Sequence, residues 1–177
     1  THDMPTEMGS PIYAGHRTGH DAACVALLRA AGAIILGKTV TVEFAGMAPP
    51  PTANPHNLAC TPGGSSSGSG AATAAFLCPT SLGEDTGGSI RRPAAWCGLV
   101  GLRPSWGRVS RYGVMKGVWS MDTIGPISRT VEDAAITLGA IAGYDPNDPI
   151  TWDIPVPDYR EALTGDCLLY TSPSPRD

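Results

Sequence analysis

Two glycine- and serine-rich segments carry the residues of this sequence that are best suited to chemistry. The first spans residues 61–70, and the second spans residues 83–91 after a short alanine-rich stretch. Both place serine hydroxyls beside glycines, whose missing Cβ lets the backbone direct successive N–H groups into one concavity. A hydroxyl next to such amides can attack a carbonyl and stabilise the oxyanion that forms. The pattern predicts acyl transfer.

The second segment contains the predicted oxyanion hole. Its turn is Gly87-Gly88-Ser89, and positive φ angles there would point the three N–H groups the same way. Asp85 and Arg91 flank the turn, and we expect them to hold it rigid through hydrogen bonds. A plain surface ion pair is the alternative for that couple, and it would contribute little.

These segments need helices and strands to position them. Apolar spacing and capping signals predict α/β layering. Residues 47–62 contain five prolines and are predicted to form a long surface loop. The other predicted elements are a helix over 21–31 capped by Asp21 and ended by Gly32, a buried strand over 33–36, a helix over 69–77, strands over 80–82 and 99–102, and a helix that runs from a Thr130 cap to Gly143.

Residues 32–39 match the phosphate-binding loop pattern G-x-x-x-x-G-K-[ST] letter for letter. That loop follows a strand and opens a helix. Here a predicted helix precedes it, and its interior is an apolar run that favours a strand. A nucleotide-binding module, with Lys38 as the residue to test, is the hypothesis from a different functional class.

Residues 64–68 also fit the G-x-S-x-G nucleophile elbow, with Ser66 as the nucleophile. The elbow requires a strand directly before the serine and a histidine after it in the chain. The preceding residues are short and end at Pro62, and every histidine precedes Ser66. A flexible linker is disfavoured too, because an apolar helix and a second Gly-Gly-Ser turn follow at once.

Taken together, the ordered segments resemble the amidase signature family of serine hydrolases. The resemblance is densest over residues 63–104, and it extends to residues 9–10, 37–39 and 125–134. It implies an α/β fold in which a mixed β-sheet is covered by helices. Residues 1–166 would be the central part of that domain, and residues 167–177 are predicted to be a disordered or foreign tail.

The resemblance also implies a Ser–cis-Ser–Lys triad. Ser89 would be the nucleophile, and Ser65 would relay protons after a cis peptide bond from Gly64. Ser66 would be a supporting hydrogen-bond donor, and the N–H of Thr86 would join the oxyanion hole. The implied reaction converts a carboxylic amide to an acid and ammonia or an amine through a seryl acyl-enzyme.

The sequence departs from the family pattern at the lysine base, at position 84 and in the tail after Asp166. The family's lysine base precedes the Gly9-Ser10 element, whereas the first lysine here is Lys38, which belongs to another element and is expected to be structural. We therefore expect an internal fragment with little or no activity by itself. Glu84 stands where the family usually has a small hydroxyl residue, and we expect it to alter the charge near Asp85.

Two substrate hypotheses follow within this family. One is a general amidase acting on a small-molecule amide, with a homo-oligomer as the assembly to consider. The other is the glutaminase (A) subunit of a tRNA-dependent amidotransferase, which would use glutamine and need partner subunits. Neither hypothesis calls for a cofactor or a metal ion.

Composition limits the remaining classes. The chain has 177 residues, 42% of them hydrophobic, with 22 glycines and 17 prolines, so it can bury a core but must contain many turns. A net charge of −4 without a basic run predicts no direct binding to nucleic acid or to a membrane surface. The five cysteines show no metal-ligand spacing, which favours a reduced, cytoplasmic setting.

Overall fold

The computed structural model describes residues 1–165. The predicted tail lies outside these residues. The helices are α1 (Ala23–Ala30), α2 (Ser67–Ala74), α3 (Arg91–Trp96) and α4 (Val131–Ile141), with 3₁₀ turns at Pro11–Tyr13, Glu43–Ala45 and Tyr159–Ala162. The strands are β1 (Thr80–Asp85), β2 (Val100–Gly101) and β3 (Thr123–Ser128), which form one antiparallel sheet in the order β1-β3-β2. The predicted α/β class is confirmed.

The central strand, β3, is absent from the sequence predictions. All six of its residues are buried, yet Pro126 stands in its middle and proline normally argues against a central strand. The Pro126 carbonyl accepts from Leu102 N at 3.0 Å, just past the end of β2. In an antiparallel strand, the N and O atoms of one residue point to the same neighbouring strand. The missing N–H of Pro126 would therefore face β2 at the point where that strand ends, so no ladder hydrogen bond is lost.

Two core clusters lie on opposite faces of β3. Ile124 packs on one face with residues that include Leu138 and Ile141 of α4. Ile127 packs on the other face with Ile90 and with Ala94 of α3. Because successive strand residues point to opposite faces, one short strand serves both clusters. The sheet is therefore covered by helices on both sides.

Several predicted elements are confirmed, with shifted ends. The Thr130 hydroxyl accepts from Asp133 N at 3.0 Å and caps α4 as predicted. The predicted loop over 47–62 contains no regular strand or helix. Three further predictions are confirmed in type, namely the helix over 69–77, found at Ser67–Ala74, the strand over 80–82, found at Thr80–Asp85, and the strand over 99–102, found at Val100–Gly101.

The predicted cap of α1 is wrong. Ala22 occupies the N-cap position and makes no side-chain cap. Asp21 instead accepts from Arg29 Nε at 3.0 Å and from the backbone N–H of His2 at 2.7 Å. The Asp21 carboxylate therefore pairs with the charged Arg29 side chain instead of capping the helix. Gly32, at φ +86°, follows the end of α1 as predicted.

The predicted buried strand over 33–36 is also wrong. Ile34 is 83% exposed and Leu36 is 70% exposed, and the segment pairs with no strand within residues 1–165. A strand is stabilised by a neighbour's backbone, which apolar composition alone does not provide. The chain forms no helix from residue 33 through Val40, so the helix that a phosphate-binding loop opens is missing, and this contradicts the nucleotide-binding hypothesis.

Val40, just beyond that segment, is in close contact with α2. Gly68 N donates to Val40 O at 2.8 Å. A Cβ on Gly68 would lie 2.5 Å from Val40 N and 2.7 Å from Val40 O. Only glycine allows this approach, because both obstructing atoms belong to the backbone.

We predict that Gly68→Ala destabilises the chain, although alanine is the better helix former. The overlap with Val40 is expected to lower the free energy of unfolding by about 1–3 kcal/mol, as overpacking does. The matched control is Gly139→Ala in α4, where the nearest atom to the new Cβ is 4.0 Å away. That variant should gain about 0.4–1 kcal/mol. Urea unfolding of both variants checks the prediction, and equal effects would contradict it.

Among residues 1–165, no helix has the length and apolar character needed to cross a membrane.

Candidate active site

The two serine turns meet at the end of β1. Ser66 N donates to Ser89 O at 3.3 Å, which joins the turns directly. The Ser66 hydroxyl accepts from Glu84 N at 3.2 Å and donates to Glu84 O at 3.4 Å. A Cβ on Gly83 would lie 2.7 Å from Ser66 Oγ, so a side chain at that position would displace the hydroxyl. Ser66 thus attaches the first turn to the strand that leads into the second.

Ser65 is fixed through its backbone. The Gly64–Ser65 peptide bond is cis, as the resemblance implies. The Ser65 carbonyl accepts from Val42 N at 3.0 Å, Thr41 Oγ1 at 3.1 Å and Ser67 Oγ at 3.2 Å. The residue is buried, and its own hydroxyl makes no hydrogen bond within residues 1–165. That hydroxyl is left available for proton transfer.

Arg92 is a supporting residue that is not among those predicted from the sequence. Its Nη1 donates to Gly64 O at 3.3 Å, which anchors the peptide unit before Ser65 to α3. The run Ser-Ile-Arg-Arg-Pro signals two adjacent arginines, but only the fold shows that one serves each turn. Arg91 faces Asp85, whereas Arg92 faces the first serine turn.

The second turn is wrapped around the buried carboxylate of Asp85. Oδ1 accepts from Gly88 N at 2.8 Å, and Oδ2 accepts from Ile90 N at 3.0 Å and Arg91 N at 3.3 Å. The Arg91 guanidinium adds bonds of 3.1 and 3.2 Å, and Arg103 Nε lies 3.3 Å from Oδ1. Gly88 adopts φ +131°, which favours glycine.

These partners change the acidity of Asp85. Burial alone would raise the pKa of its carboxyl, but the hydrogen bonds from Arg91 and from the amides of Ile90, Arg91 and Gly88 outweigh burial. The net result is a lowered pKa. The carboxylate therefore stays ionised and holds the turn at neutral pH.

Gly88 must be removed from the predicted oxyanion donors. Its single N–H is committed to Asp85 Oδ1, and one hydrogen cannot also serve an oxyanion in full. The N–H groups of Thr86, Gly87 and Ser89 make no hydrogen bond in the described part of the chain. Three of the four predicted donors are left available.

Ser89 lies at the start of α3 and is partly exposed. Over residues 1–165, its hydroxyl makes no hydrogen bond, so no direct bond joins it to the Ser65 hydroxyl. The serine turns are adjacent, but no hydrogen bond joins the two hydroxyls of the predicted relay. Catalytic hydrogen bonds commonly form only when substrate binds.

Neither lysine of the sequence takes part in this arrangement. Lys38 donates to the Thr6 hydroxyl, and Lys116 Nζ lies 4.5 Å from the centre of the Trp119 ring. Burial lowers the pKa of the Lys38 amine, against an opposing effect of Glu7. Its contacts fit the structural role that we expect for it.

Glu84 is expected from the sequence to alter the charge near Asp85, but its side chain does not face that residue. Neighbouring residues of β1 point to opposite faces of the sheet, and Glu84 faces Asp122 instead. Burial, together with the charge and hydrogen bond of Asp122, raises the pKa of Glu84 to about 7, against an opposing effect of Arg111. Glu84 is the carboxyl group of this region that holds a proton near neutral pH.

One cluster of possible metal ligands lies away from the serine turns. In the part of the chain that the structure describes, His2, Asp3 and Asp21 place ligand atoms within 4.8 Å of one another. Arg29 pairs with Asp3 at 2.7 Å and with Asp21 at 3.0 Å. Both carboxylates are already paired with this arginine, and the cluster contains no residue of the candidate active site.

Known proteins are similar to this chain in sequence. The chain is 53% identical over 171 residues to the A subunit of glutamyl-tRNA(Gln) amidotransferase from Geobacter sulfurreducens, a match that covers 93% of this chain and 35% of that protein. The corresponding proteins of Geobacter metallireducens and Solidesulfovibrio magneticus are 51% and 52% identical, with 36% and 35% of their lengths covered.

The chain is also similar to solved structures. The crystal structure of the A subunit of glutamyl-tRNA(Gln) amidotransferase from Thermotoga maritima has a TM-score of 0.86 at 43% identity, over 88% of this chain and 36% of that one. Native peptide amidase from Stenotrophomonas maltophilia has a TM-score of 0.88 at 43% identity, over 92% and 36%. The chain thus spans about a third of the length of the relatives it matches.

The amidase family profile matches residues 1–167, which is nearly the whole chain. The match includes both serine turns and all the strands and helices that hold them. The chain belongs to the amidase family.

Proposed function

We propose that the protein containing this chain hydrolyses a carboxylic amide through a seryl acyl-enzyme, with Ser89 as the nucleophile and Ser65 as the proton relay. One observation carries the proposal, namely the 3.3 Å bond from Ser66 N to Ser89 O. That bond holds the cis Gly64–Ser65 turn against a loop whose free amides can receive an oxyanion.

The steps follow from the proton balance. A neutral lysine takes a proton from Ser65 as Ser65 takes one from Ser89, and the Ser89 oxygen attacks the amide carbon. The N–H groups of Thr86, Gly87 and Ser89 stabilise the oxyanion, an effect of about 3–4 kcal/mol per donor in comparable hydrolases. The relay then returns the proton to the leaving nitrogen, which departs as ammonia or an amine. Water releases the acid by the same route.

The lysine base in this proposal is neither Lys38 nor Lys116, since both have other contacts. We predict that the purified 177-residue chain hydrolyses glutamine and simple amides at no more than the uncatalysed rate. In the amidotransferase chimera, residues 1–165 replace the matched segment of the Geobacter sulfurreducens protein. We expect this chimera to be active. Ammonia release measures both. Robust hydrolysis by the isolated chain would contradict the lysine assignment.

The names of the relatives support the glutaminase hypothesis. Three relatives between 51% and 53% identity are named as the A subunit of glutamyl-tRNA(Gln) amidotransferase. We therefore propose that the whole protein is the glutaminase subunit of such an amidotransferase, with partner subunits and a cytoplasmic location. A general amidase is the second candidate, supported by the likeness to peptide amidase.

Two chimeras distinguish these candidates. The first is the amidotransferase chimera, and the second places residues 1–165 in the peptide amidase of Stenotrophomonas maltophilia. A glutaminase origin predicts that the amidotransferase chimera keeps its host's glutamine kcat/KM within about tenfold. The other chimera should lose roughly 100-fold or more of its host's kcat/KM on a peptide amide, because misplacing catalytic groups by about 1 Å costs about that much. The reverse ranking would favour the general amidase.

A further inference from the structure

We propose that Glu84 and Asp122 form a proton-sharing carboxyl pair that positions Thr86 in the serine loop, so that the loop's geometry depends on pH near neutrality. Asp122 is then a positioning residue, and Glu84 controls it. The catalytic part of this inference rests on the proposed function, whereas the structural part does not.

Asp122 joins the serine loop to a neighbouring turn. Its Oδ1 accepts from the Thr86 hydroxyl at 2.6 Å, and its Oδ2 accepts from Gly117 N and Val118 N at 2.7 Å each. The residue is 1% exposed. The turn also closes on itself, because Met121 N and Asp122 N both donate to Val118 O. One buried side chain thus fixes both segments.

The sheet register brings Glu84 to the same place. Glu84 pairs with Ile124 in the antiparallel ladder, so Thr86 and Asp122 are opposite each other one step beyond its end. Residues two apart on a strand share a face, which puts Glu84, Thr86, Asp122 and Ile124 on one side. Glu84 is diagonal to Asp122, within reach of a long side chain.

The hydrogen bonds decide where the proton lies. Both oxygens of Asp122 already accept from N–H or O–H donors, so Glu84 must be the donor in the bond between the two carboxyls. Burial and Asp122 raise the pKa of Glu84 to about 7. Near that pH the pair loses its shared proton, and the partly exposed carboxylate of Glu84 then faces the buried carboxylate of Asp122.

The surrounding charges do not replace that proton. Arg111 opposes the rise in the pKa of Glu84, but its guanidinium lies between the Trp106 and Trp119 rings and 3.5 Å from Asp148. Arg103 is held by Asp85 and by the Met121 carbonyl, and Lys116 lies over the Trp119 ring. The repulsion therefore acts on Asp122, and we expect it to weaken the bonds from Thr86 and from the amides of the turn.

The first test is an NMR titration of the ¹⁵N-labelled 177-residue chain from about pH 5 to about pH 8.5. The amides of Thr86, Gly117 and Val118 are expected to shift together with a midpoint of about 7. Glu84→Gln, which cannot ionise, should abolish the shift. Glu43→Gln, at an exposed glutamate, should leave it unchanged. A shift that persists in Glu84→Gln, or no shift in the parent chain, would overturn the pair.

Unfolding in urea provides a second measurement that does not depend on resonance assignment. The folded chain binds a proton at Glu84 that the unfolded chain has lost above the ordinary pKa of 4.5. Stability should therefore fall between about pH 4.5 and pH 7 in the parent chain relative to Glu84→Gln. Equal pH dependence of the two chains would overturn the proposal.

The catalytic consequence is tested in the amidotransferase chimera. Its kcat should decline about tenfold for each pH unit above about 7, and Glu84→Gln should remove that decline while KM stays similar. An unchanged pH profile in Glu84→Gln would overturn the positioning role. An inactive chimera whose amides still titrate would contradict the proposed function and would support the carboxyl pair.

Discussion

Ser89→Ala is expected to abolish turnover in the amidotransferase chimera, with a fall in kcat of at least about 10³-fold. Without the hydroxyl no acyl-enzyme can form, and only substrate binding and the amides of Thr86, Gly87 and Ser89 remain to assist hydrolysis. Initial rates of ammonia release measure the effect. Trapping of the acyl group with hydroxylamine should give a hydroxamate with the parent chimera and none with the variant.

The matched control for this variant is Ser105→Ala, an exposed serine outside both serine turns. It should retain the parent rate within about twofold, because surface substitutions rarely change stability by more than about 0.5 kcal/mol. The activity of Ser65→Ala should lie between those of Ser89→Ala and Ser105→Ala, since water can replace a proton relay more readily than a nucleophile. If Ser89→Ala keeps a tenth of the activity, the nucleophile is another group.

Asp85→Asn is expected to have the largest effect on stability, with a loss of about 3–5 kcal/mol in the free energy of unfolding. The variant removes a buried charge that accepts from three backbone amides and faces Arg91 and Arg103. Its amide nitrogen would instead point a donor at other donors. Urea unfolding of the 177-residue chain measures the loss.

The pH dependence of that loss has a defined sign. The pKa of Asp85 is lowered in the folded chain, so its stabilising contribution is present above the ordinary value of 3.8 and is lost as the pH falls through the lowered value. The gap between the parent chain and Asp85→Asn should therefore narrow in strong acid. A gap that is constant with pH would contradict the role of the charge.

The control for Asp85→Asn is Asp158→Asn, because Asp158 also pairs with an arginine, Arg160, but on the surface. Its urea midpoint should not change measurably, since solvent and ions screen an exposed pair. Amide hydrogen exchange adds a local readout. Gly88, Ile90 and Arg91 should lose protection in Asp85→Asn and keep it in Asp158→Asn.

Much of the candidate site could be predicted from the sequence because its residues are close along the chain. Asp85 and Arg91 surround a short turn, and local spacing is enough to bring them together. The cap of α4 at Thr130 and the position of Gly32 are also local properties, which depend on side chains and φ angles within one turn of helix. The cis bond before Ser65 and the proposed roles of the serines came from the family resemblance.

The tertiary structure decided whatever depends on distant partners. Whether residues 33–36 form a strand depends on a neighbouring backbone, which composition does not show. Pro126 can occupy the central strand because β2 ends beside it, a fact about another segment.

Distant partners also explain why the expectations for Gly88 and Glu84 differ from the structure. The sequence shows that Gly88 has an N–H, but only the folded loop shows that Asp85 uses it. It shows an unusual glutamate at position 84, but the pleat of β1 and the register with β3 decide that this carboxyl meets Asp122. Local residue types determined the chemistry that this chain can offer, and long-range packing decided which groups are free to perform it.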